Sequence, residues 1–296
     1  MKIIIAGSNG FIGSRLAAAF NKEGVELVLL SRHPRQGEVF WNPEAKEVDR
    51  SIFLGADIVI NLTGERIVGR WNQKKKLRIS QSRFCATQFL CDLLLELDSL
   101  PHLYFNASAI GFYGDRKKEV LKESSSPGRD FLAEVCLEWE KIPNILVKKG
   151  VRVILMRFGM VLGENGGILK LIKKPFSIGI GGVFGQGDQM MSWIAIDDLI
   201  AAIQFIIQHK EISGPVNFSS PYAVSNLEFT KILASLFGKS KLLKIPRWIL
   251  SMIFGDGSDM FMSSIHAYPD CLLKYGFYFQ YPDIEPCLKK YLRLND

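Results

Sequence analysis

Three glycines near the start of the chain have the spacing and the setting of a phosphate-binding turn. Gly7, Gly10 and Gly13 directly follow the apolar run at residues 3–5 and precede a helical pattern. Gly7 would permit a tight turn, Gly10 a close backbone approach to a pyrophosphate, and Gly13 close packing of the helix on the sheet. Free N–H groups at the helix start would then bind the phosphates. The segment predicts dinucleotide binding, and a simple glycine turn is the alternative.

The end of the second predicted strand bears on which dinucleotide would bind. That strand ends LVLLSRHPR, so Ser31 and Arg32 stand where an acidic residue would bond the ribose hydroxyls of NAD, and Arg35 follows. A guanidinium suits a 2′-phosphate through paired N–H donors, whereas an acid would repel it. We therefore predict NADP(H) as the cofactor, with a solvated loop arginine as the alternative.

A central strand contributes the remaining predicted contacts with the cofactor. Asn61, Thr63 and Gly64 come at the end of the run IVINL and would lie beside the adenosine half, with ordinary strand-end turn chemistry as the alternative. The predicted cofactor-binding residues are Gly7, Ser8, Asn9, Gly10, Phe11, Ile12, Gly13, Ser31, Arg32, Asn61, Leu62, Thr63 and Gly64.

Length and charge limit the class of protein. A chain of 296 residues suffices for one large α/β domain or two smaller ones. The formal net charge of +7 invites a nucleic-acid partner, but the basic residues are scattered in short groups without a long basic arm. We expect a small-molecule substrate, no nucleic acid and no membrane, and oligomerisation is left open.

The cysteines and the start of the chain indicate the compartment. The five cysteines are widely spaced and include no C-x-x-C pair, so neither a zinc site nor a disulfide framework is predicted. The chain opens on a strand pattern rather than on a charged leader before an apolar block, and no uncharged apolar run has the length of a membrane span. We therefore expect a cytoplasmic protein with reduced thiols.

Strand-like and helix-like segments alternate through the first half of the chain, and they would position these residues. Strands separated by helices imply a parallel sheet that is covered on both faces. With right-handed crossovers the prediction is an α/β Rossmann fold with a doubly wound parallel sheet. The predicted strands are 3–6, 26–30, 57–62, 103–107 and 152–157, and the predicted helices are 14–22, 74–97 and 131–149, the last interrupted by Pro143.

After about residue 160 the pattern changes. Glycines crowd residues 159–187, which predicts a loop-rich insertion over the ligand crevice. A helix at 196–208 and a strand at 216–218 follow, and Ser225 opens a capping box before another helix. The aromatic-rich helical segment from about 244 to 294 predicts a small cap.

These changes predict two interleaved parts. Residues 1–165, completed by about 190–220, would form the dinucleotide-binding Rossmann domain. Residues 166–189 and 221–296 would form a smaller, interleaved C-terminal part that binds substrate.

Several segments, in this order, resemble the extended short-chain dehydrogenase/reductase superfamily of the NAD-dependent epimerase/dehydratase type. Within it they are similar to an atypical branch of epimerase-family proteins, the YfcH-like group. The resemblance implies a Rossmann fold, nucleotide binding and a small substrate-binding part, and much less about the reaction. The segments that carry it include GSNGFIGSRL at Gly7, SRHP at Ser31, GADIVINLTGE at Gly55, SRFCATQFL at Ser82, ASAIGFYG at Ala107, DFLAEVCLEWE at Asp130, RFGMVLG at Arg157 and IPRWILSMIFG at Ile245.

The resemblance also implies catalytic positions, and here the chain departs from the superfamily. Catalysis there uses a Ser or Thr with a Tyr and a Lys four residues apart on one helix face, where the lysine lowers the pKa of the tyrosine. Ser108 fits the serine role as a hydrogen-bond donor to a substrate oxygen, and a strand-end turn serine is the alternative. Leu132 and Cys136 stand at the tyrosine and lysine positions, and neither can do the usual work.

Tyr113 is the nearby substitute. It lies five residues after Ser108, and we expect it on the loop over the crevice. A neutral phenol can donate a proton to a forming alkoxide, so it would suit carbonyl reduction; packing, or orienting the nicotinamide, is the open alternative. Cys136 and Glu140 are predicted to be structural, and Arg157 a buried paired charge.

Two functions are therefore predicted from the sequence. The first is an NADP(H)-dependent oxidoreductase or epimerase-like enzyme that acts on a small carbonyl or sugar-like substrate. The second is a non-catalytic NADP(H)-binding sensor or regulatory protein, which the missing Tyr-Lys pair favours.

Overall fold

The computed structural model describes residues 1–292, except for the side chain of Lys22. The strands are β1 (Lys2–Ala6), β2 (Glu26–Ser31), β3 (Val39–Asn42), β4 (Glu47–Val48), β5 (Ile58–Asn61), β6 (Leu103–Ala109), β7 (Val120–Leu121), β8 (Arg152–Phe158), β9 (Met160–Leu162), β10 (Gly182–Phe184), β11 (Met190–Met191), β12 (Trp193–Ala195), β13 (Gly214–Phe218), β14 (Val224–Ser225), β15 (Leu243–Ile245) and β16 (His266–Ala267). The α-helices are α1 (Phe11–Lys22), α2 (Gln73–Leu95), α3 (Phe131–Lys141), α4 (Asn144–Val147), α5 (Gly167–Ser177), α6 (Ile196–Gln208), α7 (Asn226–Leu236), α8 (Arg247–Phe254), α9 (Asp259–Met262), α10 (Asp270–Lys274) and α11 (Ile284–Leu292). Short 3₁₀ helices span Arg50–Phe53, Ile110–Tyr113 and Asp256–Ser258.

Eight strands form one sheet in the order β13-β8-β6-β5-β1-β2-β3-β4. Neighbouring strands are parallel except for the β3–β4 pair at one edge. From β1 the chain goes first to β2 and β3 on one side, and then to β5, β6, β8 and β13 on the other. Ligands of such sheets bind outside the carboxyl ends of the strands where the order reverses, which here is between β1 and β5. The predicted doubly wound Rossmann sheet is confirmed.

Apolar layers cover both faces of this sheet. On one face Leu16 of α1 and Ile203 of α6 belong to a buried cluster with the strands. On the other face Phe89 and Leu94 of α2 belong to a second cluster. Burial on both faces explains why the central strands are apolar throughout rather than alternating, and it holds their carboxyl ends in one rigid edge.

Pro143 interrupts the helix predicted over residues 131–149, as expected. Helix α3 ends at Lys141 and α4 begins at Asn144, immediately after the proline. Proline lacks an N–H and its ring clashes with the preceding turn, so a helix does not continue through it undisturbed. The other elements predicted in the first half of the chain agree with the structure to within a few residues.

The loop-rich insertion predicted over residues 159–187 is wrong in part, because that segment contains β9, α5 and β10. Its glycines serve a packing role instead. A Cβ on Gly163 or Gly166 would overlap the ring of Phe11, so the absence of side chains lets the first turn of α1 pack there. The glycine-rich composition of this segment is typical of a loop, but in the structure these glycines allow close packing against Phe11.

The C-terminal elements are interleaved with the rest of the chain. β15 pairs with β10, and β16 pairs with β7. The loop that follows β5 also contacts the end of α8, where the N–H of Trp71 donates to Phe254 O (2.8 Å) and Arg70 Nη1 donates to Met252 O (2.6 Å). The predicted division at residues 165, 189 and 221 stays a prediction, and its last residues, 293–296, lie outside the described range.

Two further points concern local structure. Ser225 caps α7 as predicted, since its Oγ accepts the N–H of Glu228 (3.1 Å). Within residues 1–292, no helix combines the length and the apolar character needed to cross a membrane.

Candidate functional site

The turn between β1 and α1 is shaped by two glycines that the protein itself requires. Gly7 has a φ of +84°, and a Cβ there would stand 2.9 Å from backbone atoms of Leu62. A Cβ on Gly13 would overlap the carbonyl oxygen of Gly7. The turn therefore lies directly against the segment that follows β5, and α1 begins directly against the turn.

Gly10 differs from Gly7 and Gly13, because the space where its Cβ would stand is almost open. A Cβ there would meet only the Gly7 oxygen, at 3.2 Å. The first helical hydrogen bond of α1 runs from Ser14 N–H to Gly10 O (2.9 Å), so the N–H groups of Phe11 and Ile12 precede the helical ladder. This arrangement fits the pyrophosphate of a dinucleotide. The ring of Phe11 packs into the protein, so that residue would offer only its backbone.

The side chains of Ser8 and Asn9 hold the turn against the end of β2. Buried Ser8 Oγ donates to Leu30 O (3.2 Å). Asn9 Nδ2 donates to Ser31 Oγ (2.6 Å) and to Glu38 Oε2 (3.1 Å). Ser31 is itself buried, so these polar side chains position the phosphate turn beside the end of β2.

Arg32 and Glu38 flank the place predicted for a ribose 2′-phosphate. Arg32 is exposed and forms no hydrogen bond or ion pair with any other residue in the range 1–292. Glu38 was missed by the sequence reasoning, which considered only the residues directly after β2. Its Oε2 accepts the N–H of Arg35 (2.8 Å) as well as the Asn9 amide, and so brings a negative charge to the same corner.

Asn61 is fully buried, and its side chain is bonded within the interior. Its Nδ2 donates to Thr87 Oγ1 (2.8 Å) and to Asn106 Oδ1 (2.9 Å). Its Oδ1 accepts from Thr63 Oγ1 (2.5 Å). A contact between this strand end and a cofactor would therefore use the backbone of residues 61–64 rather than the Asn61 amide.

Ser108 lies at the carboxyl end of β6, but its hydroxyl proton is directed inward. Its Oγ donates to Glu140 Oε1 (2.5 Å), and Ser108 is 3% exposed. The same carboxylate accepts from Nε (2.9 Å) and Nη2 (2.8 Å) of Arg157, and both charged residues are buried. The prediction of a buried, paired Arg157 is confirmed. A catalytic role for Ser108 stays a prediction.

The expected position of Tyr113 on a loop over the crevice is wrong, because this side chain is 0% exposed. Its hydroxyl donates to Asn217 Oδ1 (2.7 Å) and accepts from Arg157 Nη1 (3.0 Å). Burial, the largest influence, raises the pKa of Tyr113 above its ordinary value of 10.0 although Arg157 opposes it. Tyr113 belongs to a buried network that only the folded chain brings together, so proton donation to a substrate would require it to rearrange.

The helix positions that carry tyrosine and lysine in the superfamily face the end of β6. A Cβ on Gly111 would stand 3.5 Å from Leu132 Cβ and 3.9 Å from Cys136 Sγ. Cys136 is a buried free thiol, and burial raises its pKa to about 12. It is therefore inert as a nucleophile, as expected. Within residues 1–292, no group of three or more potential metal ligands occurs.

Comparisons with known proteins cover almost the whole chain. The model of the NAD dependent epimerase/dehydratase family matches residues 3–218, and the model of a domain of unknown function (DUF1731) matches residues 245–291. An epimerase family protein of Mycobacterium bovis is 36% identical over 290 residues, which span 97% of this chain and 96% of that protein. The epimerase family protein YfhF of Bacillus subtilis is 32% identical over 297 residues, which span 98% of this chain and 97% of YfhF.

A solved structure is similar over the full length. The crystal structure of the human epimerase family protein SDR39U1 with NADPH superposes with a TM-score of 0.89 at 25% identity, and the match covers 99% of each chain. The narrower YfcH-like assignment is not tested by these matches and stays a prediction.

Proposed function

Because the chain belongs to the NAD dependent epimerase/dehydratase family, we propose that it binds NADP(H) and is an oxidoreductase acting on a small carbonyl or sugar-like substrate. The observation that carries the choice of cofactor is Arg32. This exposed arginine follows β2, forms no hydrogen bond or ion pair within residues 1–292 and lies next in sequence to Ser31, which is bonded to the phosphate turn. The similar human protein was crystallised with NADPH, which supports the same choice.

Different residues of the chain would bind different parts of the cofactor. The N–H groups of Phe11 and Ile12 would hold the pyrophosphate, and Arg32 would bind the 2′-phosphate. When bound, the reduced nicotinamide would supply a hydride to the substrate carbonyl. The C-terminal part would cover the crevice, since residues 252–254 already contact the loop after β5.

Paired titrations test the cofactor assignment. We expect Arg32→Gln to weaken NADPH binding by about 10- to 100-fold, as for loss of a hydrogen bond to a charged group, and to change NADH binding little. Arg50→Gln is the matched control, because Arg50 pairs with Glu96 at the far end of α2. Calorimetry with each nucleotide measures both, and equal losses for NADPH and NADH would contradict the 2′-phosphate role.

A second candidate function is favoured by a specific observation. The hydroxyl protons of Ser108 and Tyr113 are both directed to interior acceptors, so neither residue presents a ready acid to the crevice. An NADP(H)-binding sensor needs no such acid. Following the absorbance of NADPH with a broad panel of small carbonyl compounds separates the two, since turnover supports the oxidoreductase, whereas tight binding without turnover favours the sensor.

A further inference from the structure

Arg83 of α2 has one edge of its guanidinium bonded and the other without a partner. Its Nη1 donates to Glu65 O (3.2 Å) and to Ile79 O (2.9 Å), which fixes the side chain under the loop that follows β5. Its Nε and Nη2 donate to no atom within residues 1–292, and neither of them is sealed from solvent. The nearby Glu65 carboxylate is occupied by Lys75 (2.6 Å) and forms no ion pair with Arg83.

Two other arginines of the chain use the same Nε–Nη2 edge on a carboxylate. Arg157 places Nε and Nη2 on the two carboxylate oxygens of Glu140, at 2.9 and 2.8 Å, and its Nη1 on a backbone carbonyl. Arg116 uses the same two nitrogens on Glu119, at 2.9 and 2.8 Å. Arg83 repeats the Nη1–carbonyl half of the Arg157 arrangement without the carboxylate. The spacing of Nε and Nη2 matches two oxygens of one planar acid.

Arg83 lies between the segment that follows β5 and helix α3. Its Cζ is 3.2 Å from where a Cβ of Gly64 would stand, and it lies 5.2 Å from the ring centroid of Trp139 on α3. Arg32 follows β2, whereas Gly64 follows β5, across the switch point at β1. Gly64 was predicted beside the adenosine half, but the contact with Trp139 places Arg83 against α3, the helix on which the superfamily carries its catalytic tyrosine and lysine. A substrate bound in that part of the crevice would therefore lie near the free edge of Arg83.

The energetics favour an anionic ligand at this position. Arg83 is half-buried and its charge has no carboxylate partner, so an incoming anion would form a charge-assisted hydrogen bond there. Burial, the largest influence, lowers the pKa of Arg83, which agrees with poor solvation of the charged form. Its Cζ lies within cation–π range of the Trp139 ring, at 5.2 Å from the centroid.

We propose that the Nε–Nη2 edge of Arg83 binds a carboxylate of the substrate, so that the substrate is a small carbonyl compound that also carries a carboxylate. This inference rests on the proposed function and narrows its substrate class. The cationic edge would orient the acid so that its carbonyl faces the nicotinamide half of the crevice.

The test measures binding of acetate and pyruvate, with acetamide as the uncharged control, to the protein with and without saturating NADPH. Ligand-observed NMR gives the dissociation constants for the natural chain, Arg83→Gln, Arg83→Lys and the control Arg50→Gln. We expect Arg83→Gln to weaken both carboxylates by about tenfold or more and Arg83→Lys to weaken them less, because lysine keeps the charge without the two-nitrogen edge. Arg50→Gln and acetamide should show no such change.

Three results would overturn the inference. The first is that carboxylates bind the natural chain and Arg83→Gln equally well. The second is that no carboxylate binds the NADPH-bound protein. The third is that Arg83→Gln loses as much affinity for NADPH as for carboxylates. If Arg83→Gln does not fold, the comparison of Arg83→Lys with Arg50→Gln decides. Failure of NADPH to bind the natural chain would refute the proposed function instead, and the titrations without NADPH would still report on Arg83.

Discussion

Replacing Glu140 by Gln should destabilise the protein far more than any exposed charge substitution. Glu140 is 7% exposed and accepts two hydrogen bonds from Arg157, which is 4% exposed, and a third from Ser108. The substitution leaves the Arg157 cation buried without its carboxylate. Removing one partner of a buried ion pair typically costs about 3–5 kcal/mol, which is a large fraction of the stability of a domain.

Urea unfolding followed by circular dichroism measures the loss, and Glu138→Gln is the matched control on the same helix. Glu138 pairs with Lys141 at 2.6 Å, but both side chains are about half exposed, so its loss should cost less than about 1 kcal/mol. The double variant Glu140→Leu with Arg157→Met should recover part of the stability, since it removes both charges of the buried pair. Equal urea midpoints for Glu140→Gln and Glu138→Gln, with unchanged slopes, would refute the reasoning.

Three further predictions follow from the same contacts. Gly10→Ala should weaken NADPH binding with little effect on stability, whereas Gly13→Ala should lower the free energy of unfolding by about 1–3 kcal/mol because its Cβ overlaps the turn. Calorimetry measures the binding of both variants and urea unfolding their stability. Identical effects of the two substitutions would contradict the assigned roles. Glu38→Gln should raise the preference for NADPH over NADH, since it removes a negative charge that contacts Asn9 of the phosphate turn and the N–H of Arg35. An unchanged ratio of the two affinities would count against this role. Burial, the largest influence, raises the pKa of Asp198 above its ordinary 3.8, so the folded state binds the carboxyl proton more tightly than the unfolded state does. The stability that Asp198 contributes therefore falls as the pH rises from 3.8 through the raised pKa. Urea unfolding across this range should show the natural chain losing stability relative to Asp198→Asn, and a difference of the opposite slope would exclude this account.

The phosphate turn was predictable because its determinants are local. Gly7, Gly10 and Gly13 lie within seven residues of one another, directly after a strand. Gly7 has the positive φ that the predicted tight turn needs, and Gly13 packs closely as predicted, although against the turn itself. The roles of Gly163 and Gly166 were not predictable in this way. They accommodate Phe11, which is far away in sequence, and their composition alone resembles a loop.

The same distinction explains why the expected position of Tyr113 was wrong and why Glu38 was missed. Tyr113 lies five residues after Ser108 in the sequence, close to the positions predicted to line the crevice. Its partner Asn217 is 104 residues away in the sequence and holds the Tyr113 hydroxyl in the interior. Glu38 reaches the phosphate turn only because the segment after β2 folds back onto Asn9. No pattern along the chain reports such contacts.

The sequence by itself therefore determined the main strands and helices of the first half of the chain, the doubly wound sheet and the turn that suits a dinucleotide, because apolar periodicity and glycine spacing act over a few residues. Only the tertiary structure decided which polar groups are free to bind a ligand. It directs the protons of Ser108 and Tyr113 to interior acceptors and leaves Arg32 and one edge of Arg83 without hydrogen-bond partners among the described residues. The physical reason is that a hydrogen-bond donor is available only if no acceptor reaches it, and those acceptors come from elements that the fold brings together.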